Sequence, residues 1–314
     1  MKFRTWMWTT ALCLLATLAF TLQLSAQDKL NPKFTPTTLA SGNSRPQVIV
    51  YSDSAADNGN IYRLLGFPGP PYWQGRFSNG PVAVENMAAI LGMPLTDNAY
   101  AAATAGVGNA FDGGTPDQLG SLGLPGITTA YNTTINSMSR DTIRGSLFVI
   151  YGGAPNFLIE GLSTAVADHA VANLVATITD LQRRGGRWIL IPGLLDIGMM
   201  PGFSSQGPET AALATSLSKY FNQKLLAALP KGVLYFDTFA LFQAMRAHPG
   251  AFGLKNVVDQ CLDPNTGAPC PNPGQYLFWD SFHPTEHVQI ILGIGFALAA
   301  HSGDQFAVAP QTQP

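Results

Sequence analysis

Short apolar runs alternate with longer amphipathic stretches along this chain, and this alternation is the strongest constraint on its fold. Buried strands are predicted at residues 47–51, 146–151, 188–191 and 232–236. Helices are predicted at residues 81–91, 164–184, 209–229 and 284–300, and residues 61–80 are predicted to form a long loop. This order favours an α/β fold, with a parallel sheet covered by helices on both faces. In such sheets, functional residues follow the carboxyl ends of the strands.

No change in composition divides residues 47–302, which we therefore predict to be one domain. The preceding residues 27–46 are polar and rich in proline and are predicted to be a flexible N-terminal segment, and residues 303–314 a C-terminal tail. Charged residues make up only 11 % of the chain, the net charge is −2, and no basic run exceeds two residues. Phosphate binding needs clustered Lys and Arg, so we expect no nucleic-acid partner.

The N-terminus has the layout of a secretory signal peptide. Lys2 and Arg4 precede an apolar stretch at residues 6–24, and the small residues Ser25 and Ala26 that follow it are suited to cleavage after Ala26. A membrane anchor is the alternative, because this stretch is nearly long enough to span a bilayer. Several threonines dilute its hydrophobicity, so we predict a cleaved signal peptide at residues 1–26. The protein would then be secreted or periplasmic, without a stable membrane span.

The cysteines are compatible with export. Cys13 lies in the predicted signal peptide, whereas Cys261 and Cys270 flank a loop rich in Pro, Gly and Asn. The latter two could pair in an oxidising compartment and brace the segment at residues 278–284. Two free thiols are the alternative.

A serine and a histidine occupy positions suited to nucleophilic catalysis. Ser54 directly follows the first predicted strand, although a serine after a strand is more often a turn former. Of the five histidines, His283 is distinguished by Asp280 three residues earlier. On a turn, this spacing lets the carboxylate hold the Nδ1–H of the imidazole and leaves Nε2 free to take a proton from a hydroxyl. A structural role for this pair at the start of the last predicted helix is the alternative.

Three motifs occur in the order found in one hydrolase family. Asp53-Ser54 with residues 57–60 resembles the GDSLSDxGN opening of the GDSL/SGNH hydrolases, and residues 75–82 resemble the GRFSNGPVW stretch of their lipase-like branch. Residues 276–286 resemble the YLFWDxxHPTE block near the C-terminus of that family. The resemblance implies a flavodoxin-like three-layer sandwich and a catalytic triad of Ser54, His283 and Asp280. Asp57, Asn58 and Asn60 could instead satisfy backbone groups in a turn and cap a helix.

The oxyanion hole is where the sequence departs from that family. The resemblance implies three donors: the N–H of Ser54, the N–H at a glycine position that Ala102 occupies, and an Asn side chain. Pro155 stands in place of that Asn and cannot donate a hydrogen bond. We expect either that Asn156 replaces the missing donor or that the hole lacks one, a loss that typically lowers the rate about 10²–10³-fold.

We therefore expect an exported esterase or lipase that forms an acyl-enzyme intermediate on a small-molecule or lipid ester. No cofactor is expected, because no metal-ligand spacing and no Gly-rich phosphate loop is present. An acyltransferase with the same triad is one alternative. A catalytically impaired binding protein on the same scaffold is the other, since the donor Asn is missing. Aromatic residues of the predicted loop could line an acyl pocket or pack the loop itself; they are Phe67, Tyr72, Trp73 and Phe77.

Overall fold

A computed structural model describes residues 46–302. The predicted signal peptide, residues 27–45 and the predicted C-terminal tail lie outside the described residues. Five parallel strands form one sheet in the order β2-β1-β3-β4-β5. They are β1 (Val48–Tyr51), β2 (Leu95–Asp97), β3 (Leu147–Ile150), β4 (Trp188–Pro192) and β5 (Leu234–Phe236).

The inner strands are apolar on both faces, as expected for a parallel sheet covered on both sides. All four residues of β1 are fully buried, and Val48 pairs with Leu95 on one side and with Leu147 on the other. Because β2 and β3 lie on opposite sides of β1, the strand order reverses at the β1–β3 pair. A crevice for a ligand is expected at this position in a doubly wound sheet.

Ten α-helices surround the sheet in the described part of the chain. They are α1 (Asn60–Leu65), α2 (Ala83–Leu91), α3 (Ile127–Ile135), α4 (Arg140–Gly145), α5 (Ala154–Glu160), α6 (Thr164–Arg183), α7 (Pro201–Ser204), α8 (Pro208–Ala228), α9 (Thr238–Ala247) and α10 (Glu286–Ser302). One helical layer contains α2 packed against α10, and another contains α6 packed against α3 and α8. The predicted α/β class is confirmed, with a flavodoxin-like strand order.

Three predictions of local structure were wrong. The stretch predicted as one loop begins with helix α1, because the buried carboxylate of Asp57 accepts hydrogen bonds from backbone N–H groups in its first turn. Helix α2 begins at Ala83 instead of Pro81, since Val82 is extended and its N–H donates to the Glu85 carboxylate. Helix α10 begins at Glu286, because Pro284 is still paired in an antiparallel bridge with Phe278.

A small second sheet lies beside the main one. Strands β6 (Asn256–Gln260) and β7 (Tyr276–Phe278) pair in parallel, and the Sγ atoms of Cys261 and Cys270 are bonded at 2.04 Å. The N–H of Cys261 donates to the carbonyl of Phe278 at 2.9 Å. The disulfide loop is therefore fixed to the segment that carries Asp280 and His283. Within residues 46–302, no helix is long and apolar enough to cross a membrane.

Candidate active site

An apolar cavity of about 380 Å³ lies at the carboxyl edge of the main sheet. Its walls come from the loops that follow β1, β2, β3, β4, β5 and β7. Ser54, His283, Asp280 and Ala102 all line it. The structure thus brings four of the predicted site residues to one place.

Ser54 lies in a tight turn immediately after β1. The N–H groups of Ala56 and Asp57 donate to the backbone carbonyl of Asp53 at 3.1 and 3.2 Å, and the N–H of Ala55 donates to the Asp53 carboxylate at 3.0 Å. Burial raises the pKa of Asp53 to about 6. The hydrogen bond from the Ala55 N–H and the nearby charge of His283 lower this pKa, but they do not cancel the effect of burial. The N–H of Ser54 has no acceptor among the described residues, so it is available to a ligand in the cavity.

Asp57 connects the Ser54 turn with the loop after β2. Its carboxylate accepts hydrogen bonds from the N–H groups of Gly59 at 2.8 Å, Asn60 at 2.5 Å and Ile61 at 3.2 Å, and from that of Ala101 at 2.8 Å. Burial raises the pKa of Asp57, although these four donors oppose the shift. The Asn60 side chain donates to the carbonyls of Asp97 and Ala99 in the loop after β2. These polar residues therefore have the structural role considered above, and they also position the loop that carries Ala102.

Ala102 adopts a left-handed backbone conformation, with φ of 61°. A residue with a Cβ pays roughly 1–2 kcal/mol in this region, which is why glycine is the usual residue there. The carbonyl of Ala102 accepts from the N–H of Ala110 at 2.9 Å, whereas its own N–H has no acceptor in the part of the chain that the structure describes. A free N–H at the cavity wall is what an oxyanion hole requires.

The structure does not bring Asn156 to the cavity. Its amide oxygen accepts from the N–H of Ala105 at 2.9 Å, and its amide nitrogen donates to the Glu160 carboxylate at 3.1 Å. Pro155 lines the cavity instead. Asn156 therefore does not replace the missing donor in this arrangement, because both ends of its amide are already bonded elsewhere.

His283 and Asp280 form a tightly bonded pair. The Nδ1 atom of His283 lies 2.8 Å from each carboxylate oxygen of Asp280. Burial raises the pKa of Asp280, but the charge and hydrogen bond of His283 outweigh this effect, and the net pKa lies below its ordinary value. The carboxylate thus stays ionised and holds Nδ1 as the protonated nitrogen. The Nε2 atom of His283 has no partner within residues 46–302.

The turn that carries this pair is fixed from two sides. The N–H of Trp279 donates to the carbonyl of His283 at 2.7 Å, which closes the turn. From the loop at residues 75–82, the Ser78 hydroxyl donates to the carbonyl of Pro284 at 2.9 Å. The Asn79 side chain accepts from the N–H of Glu286 at 2.7 Å. The second and third sequence motifs therefore contact each other directly.

The rest of the cavity wall is aromatic and aliphatic. Of the aromatic residues named from the sequence, Phe67, Tyr72 and Phe77 line the cavity, whereas Trp73 packs under the Arg76 guanidinium. The ring of Phe77 lies 5.0 Å from that of His283. Other wall residues were missed from the sequence, because they come from segments with no local motif. They include Phe111, Leu158, Leu194 and Met200.

His287, four residues after His283, does not line the cavity. Its Nε2 atom lies 2.7 Å from the carbonyl of Phe252, a structural contact. No group of three or more His, Cys, Asp or Glu residues that could hold a metal occurs within residues 46–302.

A doubly wound sheet whose carboxyl edge carries a serine and a histidine–carboxylate pair in one apolar cavity has the arrangement typical of serine hydrolases. Residues 53–294 match the family model for GDSL-like lipase/acylhydrolase. The chain belongs to this family, and it is a carboxylic ester hydrolase.

The chain is similar to several individual proteins. A GDSL esterase/lipase of Arabidopsis thaliana is 29 % identical over an alignment of 330 positions, which covers 84 % of this chain and 84 % of the relative. The phosphatidylcholine-sterol acyltransferase of Aeromonas hydrophila is 26 % identical over 238 residues, covering 71 % of this chain and 68 % of that protein. Among solved structures, an acetyl xylan esterase of Geobacillus stearothermophilus is similar, with a TM-score of 0.44 and 12 % identity, covering 81 % of this chain and 94 % of that chain.

Proposed function

We propose that this protein cleaves esters through an acyl-enzyme intermediate, with Ser54 as the nucleophile and His283 as the general base. The observation that carries the proposal is the bond between His283 Nδ1 and the Asp280 carboxylate inside the cavity that Ser54 lines. Because Nδ1 is held by the carboxylate, Nε2 is the nitrogen left to take the proton of the Ser54 hydroxyl.

The reaction has two steps. The Ser54 oxygen attacks the acyl carbonyl while its proton passes to His283, and the tetrahedral intermediate releases the alcohol with that proton. Water, activated by the same histidine, then releases the acid from Ser54. The oxyanion is held by the free N–H groups of Ser54 and Ala102, so the hole has two donors where the family pattern has three.

The cavity wall favours an ester with an apolar acyl group or an apolar alcohol. Two aromatic side chains of this wall, Phe67 and Phe111, remain 50 % and 45 % exposed, and their ring centroids lie 6.0 Å apart. Burial of apolar substrate surface against such side chains contributes roughly 25 cal/mol per Å². A lipid or another apolar ester would gain more from this wall than a sugar ester would.

Mass spectrometry after treatment with a fluorophosphonate probe tests the nucleophile. A single adduct on Ser54 is expected in the wild-type protein and in His287→Ala, a matched control that removes a histidine four residues from His283. No adduct is expected in His283→Ala or Ser54→Ala. Folded wild-type protein without an adduct would contradict the scheme and favour a binding protein on this scaffold.

Acyl transfer to an alcohol is the second candidate function, because a relative named as an acyltransferase covers 71 % of this chain. The same acyl-enzyme would pass its acyl group to an acceptor instead of water. The products of p-nitrophenyl butyrate cleavage, measured with and without a long-chain alcohol, separate the two. A transferase forms the new ester even in bulk water, whereas a hydrolase forms butyrate.

We further propose that the protein is exported and cleaved after Ala26. The bond between Cys261 and Cys270 and the low content of charged residues support this assignment. N-terminal sequencing of the protein purified from its native host should give a chain that starts at Gln27. A chain that retains Met1 in the cytoplasmic fraction would contradict export.

A further inference from the structure

We propose that Tyr72 is a positioning residue of this active site, which holds the Asp280 carboxylate in the orientation that His283 requires. The hydroxyl of Tyr72 donates to Oδ2 of Asp280 at 2.8 Å, across 208 residues of sequence. This assignment rests on the proposed function, since it concerns the same triad. Tyr72 would act through Asp280 and not on the reacting atoms.

The two oxygens of Asp280 are held in different ways. Oδ1 accepts from the backbone N–H groups of Phe282 and His283, both at 2.8 Å, so it is fixed by the turn itself. Oδ2 accepts from the Tyr72 hydroxyl, its one donor besides the imidazole among the described residues. Without this hydroxyl, Oδ2 keeps the imidazole as its one donor among the described residues, and the carboxylate plane is held less firmly. The imidazole of His283 would then lose part of its orientation.

The tyrosine is suited to this task because it remains neutral. Burial and the neighbouring Asp280 carboxylate both raise the pKa of Tyr72, so the hydroxyl keeps its proton and acts as a donor. A hydrogen bond from a neutral donor to a carboxylate is short and directional. It orients Asp280 without placing a cation that would compete with His283 for the carboxylate charge.

The ring of Tyr72 is itself fixed by packing. Edge-to-face contacts join it to Trp279 at 6.2 Å and to Phe77 at 6.0 Å between ring centroids. Trp279 directly precedes Asp280, and Phe77 contacts the ring of His283 at 5.0 Å. The Tyr72 ring is therefore packed against the residue that precedes Asp280 and against the ring that contacts His283.

The test compares Tyr72→Phe with Tyr131→Phe, a matched control. The Tyr131 hydroxyl also donates to an aspartate, Asp180, at 2.8 Å, but Tyr131 does not line the cavity. Both variants delete one oxygen and one tyrosine–carboxylate bond. We expect Tyr72→Phe to lower kcat for p-nitrophenyl butyrate and the rate of Ser54 labelling by a fluorophosphonate about 10-fold, with KM within about twofold of wild type. Tyr131→Phe should leave both rates unchanged.

A double-mutant cycle with Asp280→Ala distinguishes action through Asp280 from direct contact with the substrate. In the Asp280→Ala background, Tyr72→Phe should change the residual labelling rate less than twofold, because the acceptor is gone. An equal effect of Tyr72→Phe in both backgrounds would overturn the proposal. So would wild-type rates in Tyr72→Phe.

The outcomes separate this inference from the proposed function. Labelling of wild-type Ser54 with no change in Tyr72→Phe refutes only the role of Tyr72. Absence of labelling in the folded wild-type protein refutes both. Thermal unfolding of each variant shows whether a lost rate reflects a lost fold.

Discussion

Replacing Pro155 by Asn should restore the third donor of the oxyanion hole. Pro155 is the second residue of helix α5, whose N-cap is Gly153, and the N–H of this position is not needed within the helix. Asn at this position therefore leaves the intrahelical hydrogen bonds intact. Pro155 lines the same cavity as Ser54 and Ala102, so an amide there can face the developing oxyanion.

The size of the effect follows from the value of one such donor. Removing an oxyanion donor from a serine hydrolase lowers kcat about 10²–10³-fold, or about 2.7–4 kcal/mol of transition-state stabilisation. The reverse change gains at most this amount, because the wall around residue 155 has not been shaped for an amide. We expect kcat to rise at least about 10-fold. Loss of the proline should lower the free energy of unfolding by about 0.4–1 kcal/mol.

The assay is the steady-state hydrolysis of p-nitrophenyl butyrate by wild type, Pro155→Asn and Pro155→Ala. The alanine variant controls for loss of the ring without a new donor, and its kcat should stay within about twofold of wild type. A donor that acts only in the transition state raises kcat with KM nearly unchanged. Equal kcat values in the Asn and Ala variants would refute the reasoning, since the missing donor would then not limit the rate.

Three further predictions concern stability. Replacing both Cys261 and Cys270 by Ser opens a loop of sequence separation 9 and should lower the free energy of unfolding in urea by about 2–3 kcal/mol; an unchanged urea midpoint would contradict this. Burial raises the pKa of Asp53 from 3.8 to about 6. Between these pH values, the folded protein binds more protons than the unfolded chain does. The free energy of unfolding therefore falls by about 3 kcal/mol as the pH rises from 3.8 to about 6. Asp53→Asn should therefore raise Tm at pH 7 and not below about pH 4, and equal Tm values at pH 7 would refute the shift. Ala102→Gly should change the free energy of unfolding by less than about 1 kcal/mol, because relief of the left-handed backbone is offset by the entropy of the unfolded chain, whereas Ala102→Val should be clearly destabilised.

The sequence predicted the inner part of the fold well for a physical reason. Strands such as β3 are buried on both faces and therefore read as unbroken apolar runs, and α6 shows its helical period over 20 residues. The edge strand β2 has three half-buried residues and no such run, so it was missed. Helix α1 was missed because its start depends on the Asp57 carboxylate. This carboxylate also accepts a hydrogen bond from the N–H of Ala101, which is distant in the sequence.

Site residues were predictable where a short motif carried them. His283 and Asp280 lie three residues apart, so their contact could be deduced from local spacing. The Tyr72 contact spans 208 residues, and no local pattern reveals it. For Asn156, the sequence left two outcomes open. The choice between them depended on Glu160, one turn later on the same helix, and on Ala105, whose position relative to the amide is set by the tertiary fold.

Both departures from the family pattern described above concern the predicted oxyanion hole. Ala102 lies in the loop that follows β2, and Pro155 lies in the first turn of helix α5, which follows β3. The turn that carries Asp280 and His283 is instead fixed by the second sheet and by the loop that carries Ser78. Neither departure removes a bond that holds His283. In the proposed mechanism, a chain can therefore weaken stabilisation of the oxyanion while it keeps activation of the nucleophile. It follows that variants of the oxyanion hole should change the rate of Ser54 labelling, whereas loss of His283 should abolish it.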